Sequence, residues 1–123
     1  MAKVIGIGGV FFRSRDTKGI GQWYQKWLGL PVEHPYGATL THAALSGAGY
    51  SVWSPFEKDS EYFGPGGQAF MINLMVDDLD EALAQVRSGG ADVIPKTEDS
   101  EYGKFGWFVD PEGLRVELWQ PPK

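Results

Sequence analysis

At 123 residues the chain holds material for one domain with a sizeable core. A net charge of −5 without a basic tract argues against a nucleic-acid or anionic-membrane surface. The absence of cysteine excludes disulfides, thiolate metal sites and a Cys nucleophile. No apolar run nears membrane-spanning length and Met1-Ala2-Lys3 carries no secretion signal, so a cytoplasmic protein is expected.

Val4 to Arg13 reads as a strand with Gly6, Gly8 and Gly9 interspersed. These glycines are no dinucleotide fingerprint, because Phe11 takes the last glycine position and no helix opens there. Asp16 is placed to cap the helix that follows, on which Ile20, Trp23, Tyr24, Trp27 and Leu28 recur at the spacing of one buried face. Gly29 stops that helix. Thr39 to Leu45 and Tyr50 to Trp53 read as a hairpin joined by Ser46-Gly47-Ala48-Gly49. Ser54 to Gln68 is then a connection long enough to suggest a function of its own.

The second half repeats this order. A strand around Met71 and Ile72 leads to Asp78, which with Glu81 makes a capping box, and Leu79, Ala82, Leu83 and Val86 form the apolar stripe up to Gly89-Gly90. Ala91 to Ile94 is expected as a short strand, with Phe105 to Val109 and Leu114 to Gln120 as the last two and Asp110-Pro111-Glu112-Gly113 as the tight turn between them. The helix-opening Asp16 and Asp78 are 62 residues apart, and the strand-ending Trp53 and Trp119 are 66 apart. A repeat this long implies two modules covering each other in one domain: module one about 4–55, a connection 56–68, and module two about 69–121.

Two βαβββ modules, with Asp78-Leu79-Asp80-Glu81-Ala82-Leu83 opening one helix, Trp23-Tyr24-Gln25-Lys26-Trp27-Leu28-Gly29-Leu30 in the other, and Asp110 to Trp119 ending the second module, resemble the vicinal oxygen chelate superfamily. That group includes glyoxalase I, extradiol dioxygenases and bleomycin-resistance binding proteins. The resemblance implies an α+β fold of two tandem modules, with curled mixed sheets and helices on their outer face. It also implies a homodimer. In metal-using members the ligands come from first and last strands, and the matching positions here are Gly9, Ser51, Met71 and Glu117. Only Glu117 keeps a metal-binding side chain, and a catalytic divalent ion wants three or more His or carboxylate ligands.

By strand alternation Arg115, Glu117 and Trp119 face the cup while Val116 and Leu118 pack under the helices. Glu117 is thus the candidate catalytic residue, as general base or as partner to a cationic group, with a structural ion pair to Arg115 or Arg13 as the alternative. Phe11, Arg13, Trp53, Trp107, Arg115 and Trp119 are the candidate ligand-binding residues, since aromatic walls with a few polar groups suit a small molecule. His42 and Glu117 are the only metal candidates, and His34 is read as solvated. Glu101 and Tyr102 are read as a solvated turn, with a lid over the cup as the alternative. The expected function is binding or processing of a small organic molecule without a tightly bound metal, with no nucleic-acid or membrane partner and no cofactor. The alternative is a divalent-metal lyase or isomerase similar to glyoxalase I, using Glu117.

Overall fold

The computed structural model describes residues 10, 12, 14–35, 37–41, 50–51, 53–54 and 56–122. Of the expected hairpin, residues 42–49 and 52 lie outside these residues, as does most of the Val4 to Arg13 strand.

Helix α1 (Thr17–Leu28) begins where the Asp16 carboxylate accepts the Gly19 N–H at 2.9 Å and ends at Gly29, whose φ of 66° is left-handed. Helix α2 (Leu79–Ser88) is opened in the same way by Asp78, which accepts the Glu81 N–H at 3.0 Å. The left-handed residue after it is Gly90, with φ of 89°. The two halves therefore use the same local chemistry to start and stop their helices.

Strands β1 (Ile72–Met75), β2 (Asp92–Ser100), β3 (Gly103–Val109) and β4 (Arg115–Gln120) form one open mixed sheet in the order β1-β4-β3-β2. β1 runs parallel to β4, while β3 is antiparallel to both of its neighbours. With α2 between β1 and β2, the second module is a complete βαβββ unit, and the fold is α+β. In the first half, the described backbone outside α1 contributes one isolated antiparallel bridge, Val32 to Ala38.

One strand differs from its expectation. Ala91 to Ile94 reads as short because Pro95 follows and the apolar pattern stops, yet β2 runs to Ser100. β2 is an edge strand, so residues 95–100 need no apolar side chains, and the proline falls where the pairing with β3 slips between Val93 and Thr97.

Both helices lie on one face of the sheet. Val116 and Leu118 of β4 and Phe108 of β3 are fully buried against Leu79, Ala82, Leu83 and Val86 of α2 and Ile20 and Tyr24 of α1. Gly106 lets α2 come close, since a Cβ there would stand 2.9 Å from a Leu83 methyl. The helices are joined by Trp23, whose indole N–H donates to the Gly89 carbonyl at 2.8 Å, and by Gln85, which donates to the Trp27 carbonyl at 2.8 Å.

A second joint ties α1 to the turn between β3 and β4. Tyr24 donates its hydroxyl to the buried Asp110 at 3.0 Å, and the other Asp110 oxygen accepts the N–H groups of Glu112 and Leu114. Ser14 donates to Glu112 at 2.6 Å, and Arg15 donates to the Pro111 carbonyl at 3.0 Å. Among the described residues, no helix is long and apolar enough to cross a membrane.

Removing the Tyr24 hydroxyl leaves a buried carboxylate oxygen short of a donor, so Tyr24→Phe is expected to cost about 1–3 kcal/mol in a denaturant titration. The same pair sets an alkaline limit. Burial, with the Asp110 charge second, holds the Tyr24 phenol well above its ordinary pKa of 10.0. The unfolded chain therefore releases this proton first, and the stabilisation present below pH 10.0 is lost as pH rises beyond it. Melting curves across that range should fall less steeply for Tyr24→Phe than for the parent protein.

Candidate functional site

The face of the sheet opposite the helices is built around one acid. On β4, Val116 and Leu118 turn toward the helices, so Glu117 turns the other way, where it is 7% exposed and borders a cavity of about 1090 Å³. Its neighbours across the sheet are fixed by register: Asn73 on β1 and Trp107 on β3. Asn73 donates to Oε1 at 2.6 Å, and the Trp107 indole donates to Oε2 at 2.9 Å. The third donor is Tyr62, from the connection between the halves, whose hydroxyl meets Oε2 at 2.5 Å. Both carboxylate oxygens are thus held by neutral donors, the usual condition for burying such a group.

Burial and the neighbouring carboxylate push the Tyr62 phenol well above its ordinary pKa, with Arg115 opposing. Tyr62 therefore keeps its proton. Its ring lies edge-on to Trp107 at 5.8 Å and stacks with Phe56 at 5.3 Å, which itself meets Phe63 at 5.3 Å. These contacts fasten the connection across the sheet. Gln68 fastens it a second time: its carbonyl accepts the Arg115 N–H, and its amide donates to the carbonyls of Arg115 and Phe70.

Trp119, two residues beyond Glu117, forms the wall. Its indole donates to the Tyr102 carbonyl at 2.7 Å, and its ring is stacked on Phe105 at 6.1 Å and met edge-on by Tyr50 at 5.0 Å. Phe56, Phe70 and Trp53 complete the apolar lining, Trp53 being 80% exposed.

Glu117, Trp119 and Trp53 thus border the cavity, as the alternation suggested, whereas Trp107 and Arg115 do not. Trp107 is 2% exposed, with its indole N–H turned to Glu117. Arg115 lies over the Trp107 ring, 5.8 Å from its centroid, and the nearby chain passes at Gly64, where a Cβ would stand 2.8 Å from the Arg115 side chain. Arg115 makes no ion pair with Glu117; among the described residues the one salt bridge joins Lys96 to Glu98. Phe11, Arg13, His42 and Gly9 lie outside the described residues. Tyr102 is in the β2–β3 turn and 59% exposed, and its carbonyl supports Trp119.

Tyr62 and Asn73 are missing from the residues singled out by sequence. The aromatic density of Phe56, Tyr62 and Phe63 in an unusually long connection was a signal for the first. A polar residue between Ile72 and Leu74 was a signal for the second.

Ser51 and Met71 border the same cavity, offering a hydroxyl and a thioether. Among the described residues, no three His, Asp or Glu side chains cluster to hold a metal ion. The Glu117 oxygens already accept three N–H and O–H hydrogens, some of which a metal ion would have to displace to bind the acid through both oxygens. The described donor set does not fit a tightly held divalent ion.

Two of the similar solved structures share this architecture over most of the chain. TioX from Micromonospora sp. ML1 is 20% identical, with 89% of this chain and 93% of that chain covered at a TM-score of 0.53. A conserved domain protein is 14% identical over 86% of this chain and 90% of that chain, at a TM-score of 0.51. TnmS3, an antibiotic binding protein from Streptomyces sp. CB03234, is 29% identical over 47% of this chain at a TM-score of 0.39, and the match spans 46% of its length. No curated protein matches significantly. The profile of a family described as a glyoxalase-like domain matches residues 9–119, nearly the whole sequence. On that match, together with the βαβββ unit and the cup face it carries, the chain belongs to the glyoxalase-like domain family of the vicinal oxygen chelate superfamily.

Proposed function

We propose that the protein binds a small organic molecule in its aromatic cup and needs no tightly held metal to do so. The observation that carries this reading is the braced wall: Trp119 is fixed by a hydrogen bond and by Phe105 and Tyr50, and it borders an open cavity of about 1090 Å³. A space of that order, mostly apolar with a few convergent polar groups, suits a drug-sized ligand. The three donors already on the Glu117 carboxylate support the metal-independent part, because chelation through both oxygens would require Glu117 to give up hydrogen bonds first.

The cup is tested by following tryptophan fluorescence while flat aromatic compounds are added. Trp53 is so exposed that Trp53→Ala should leave the melting temperature unchanged. It should also weaken binding by roughly tenfold, the worth of one well-buried aromatic contact. An unchanged affinity would remove Trp53 from the site.

Metal independence is tested by titrating nickel, zinc, manganese and ferrous iron while monitoring thermal stability. No shift is expected, and binding should be indifferent to chelators. One tightly bound equivalent, lost in Glu117→Gln, would instead establish the metal-dependent lyase or isomerase reading.

Pairing of two chains is part of the same proposal. Phe12 and Leu40 are 47% and 61% exposed, leaving apolar surface that a second copy would cover. Sedimentation equilibrium should then report twice the 13.6 kDa chain mass, and a single-chain mass would remove the dimer.

A further inference from the structure

The ligand's chemistry can be narrowed from the direction of the hydrogen bonds at the sheet face of the cup, an inference that rests on the cup reading above. Three polar side chains of the floor border the cavity: Tyr62, Asn73 and Glu117. A phenol has one proton, and Tyr62 gives it to Glu117. Its oxygen can then only accept. Asn73 gives one of its two amide N–H groups to Glu117, an orientation the acid enforces because a carboxylate cannot donate, so the free Asn73 carbonyl is an acceptor as well, and its second N–H is the one donor the floor keeps. Glu117 is itself an acceptor. The Trp107 donor is buried behind it.

Gln68 also lines the cavity, but its carbonyl and its amide are already engaged by backbone. The remaining side-chain donors among the described lining residues are Lys58, the Trp53 indole and the hydroxyls of Tyr50, Ser51, Ser54 and Ser60, from the chain before β1, and the Tyr102 hydroxyl, from the β2–β3 turn. None of these is on a strand of the sheet. Nearby charges are mixed: Glu98 and Arg115 act on Tyr62 in opposite senses, and neither pairs with Glu117.

We infer that the cup floor selects ligands whose aromatic body carries a hydrogen-bond donor, a protonated nitrogen or a hydroxyl, directed at Tyr62, Asn73 and Glu117. A ligand that presents only acceptors could meet the second Asn73 N–H, but it would bring lone pair against lone pair at Tyr62 and Glu117 and lose the water that those acceptors had bound. A donor satisfies the same atoms. Discrimination of this kind is strong when the site's polar groups are desolvated by the ligand, because they are left unpaired by the wrong one.

Five probes sharing one ring system separate the possibilities: naphthylmethylamine, naphthylmethanol, the methyl ether of that alcohol, naphthoate, and the naphthylmethyl trimethylammonium ion, a cation with no donor. Their affinities for the intact protein are measured by tryptophan fluorescence and calorimetry. The amine, or the amine and the alcohol, should bind roughly tenfold tighter than the ether, the naphthoate and the quaternary ion, as expected for one hydrogen bond to a charged or desolvated acceptor. Tight binding of the amine alone would identify the donor as a protonated nitrogen; tight binding of both would show that a neutral hydroxyl suffices.

If the ether, the naphthoate or the quaternary ion matches the amine, donor selection is overturned while the cup reading stands. If none of the five binds, the cup reading falls and this inference with it. Glu117→Gln gives a second test. The new amide would donate toward Asn73, which must turn its carbonyl to meet it and present its own N–H groups to the cavity. The gap between the donor probe that binds the parent protein tightly, amine or alcohol, and the ether should then shrink to about twofold or less. A gap of unchanged size in a folded variant would overturn the assignment of selectivity to this hydrogen-bond chain, and the comparison of probes on the parent protein stands without the variant.

Discussion

A carboxylate buried in the middle of a sheet has to be compensated, and in this protein the compensation of Glu117 organises one whole side of the molecule. The donors come from β1, from β3 and from the connection between the halves. Without Tyr62, Gln68 would be left to tie that connection to the sheet by hydrogen bonds, through Arg115. The acid therefore acts as a three-way joint, and the shape of the cup follows from it. Leaving such a charge without partners would cost far more than each bond contributes singly.

The arrangement divides labour between neighbouring residues of β4. Val116 and Leu118 close the core beneath the helices, Glu117 gathers the polar network, and Trp119 supplies the wall. One strand of 6 residues thus contributes to core, floor and wall together, which is possible only because it is central in the sheet and has partners on both edges. The edge strands are freer. β2 carries a proline and a register slip that a central strand would not accommodate.

Much of this was legible in the sequence because it depends on local rules. Asp16 and Asp78 before apolar stripes announce helices, and alternation from Arg115 to Trp119 assigns faces without any knowledge of neighbours. What alternation does not supply is the partner. That Asn73 lies opposite Glu117 is a matter of parallel register, and that Tyr62 reaches the same acid depends on the path of an irregular segment. For the same reason Trp107 and Arg115 face the expected side yet sit beneath the connection instead of beside the cavity. The extent of β2 was hidden because exposed edge residues carry no apolar pattern.

The joint between the start of α1 and the β3–β4 turn bears on how the chain folds. Ser14 meets Glu112 across 98 residues, Arg15 meets Pro111 across 96, and Tyr24 meets Asp110 across 86, so these bonds span most of the polypeptide. Closing so large a loop is entropically slow to reward, although each doubling of loop length adds only about 0.6 kcal/mol. The second module, whose strands and helix are contiguous in sequence, can assemble from near neighbours before that closure. The first helix must then find a turn made almost at the other end of the chain. The topology thereby favours an order in which a C-terminal template forms from short-range contacts and the N-terminal helix docks on it last.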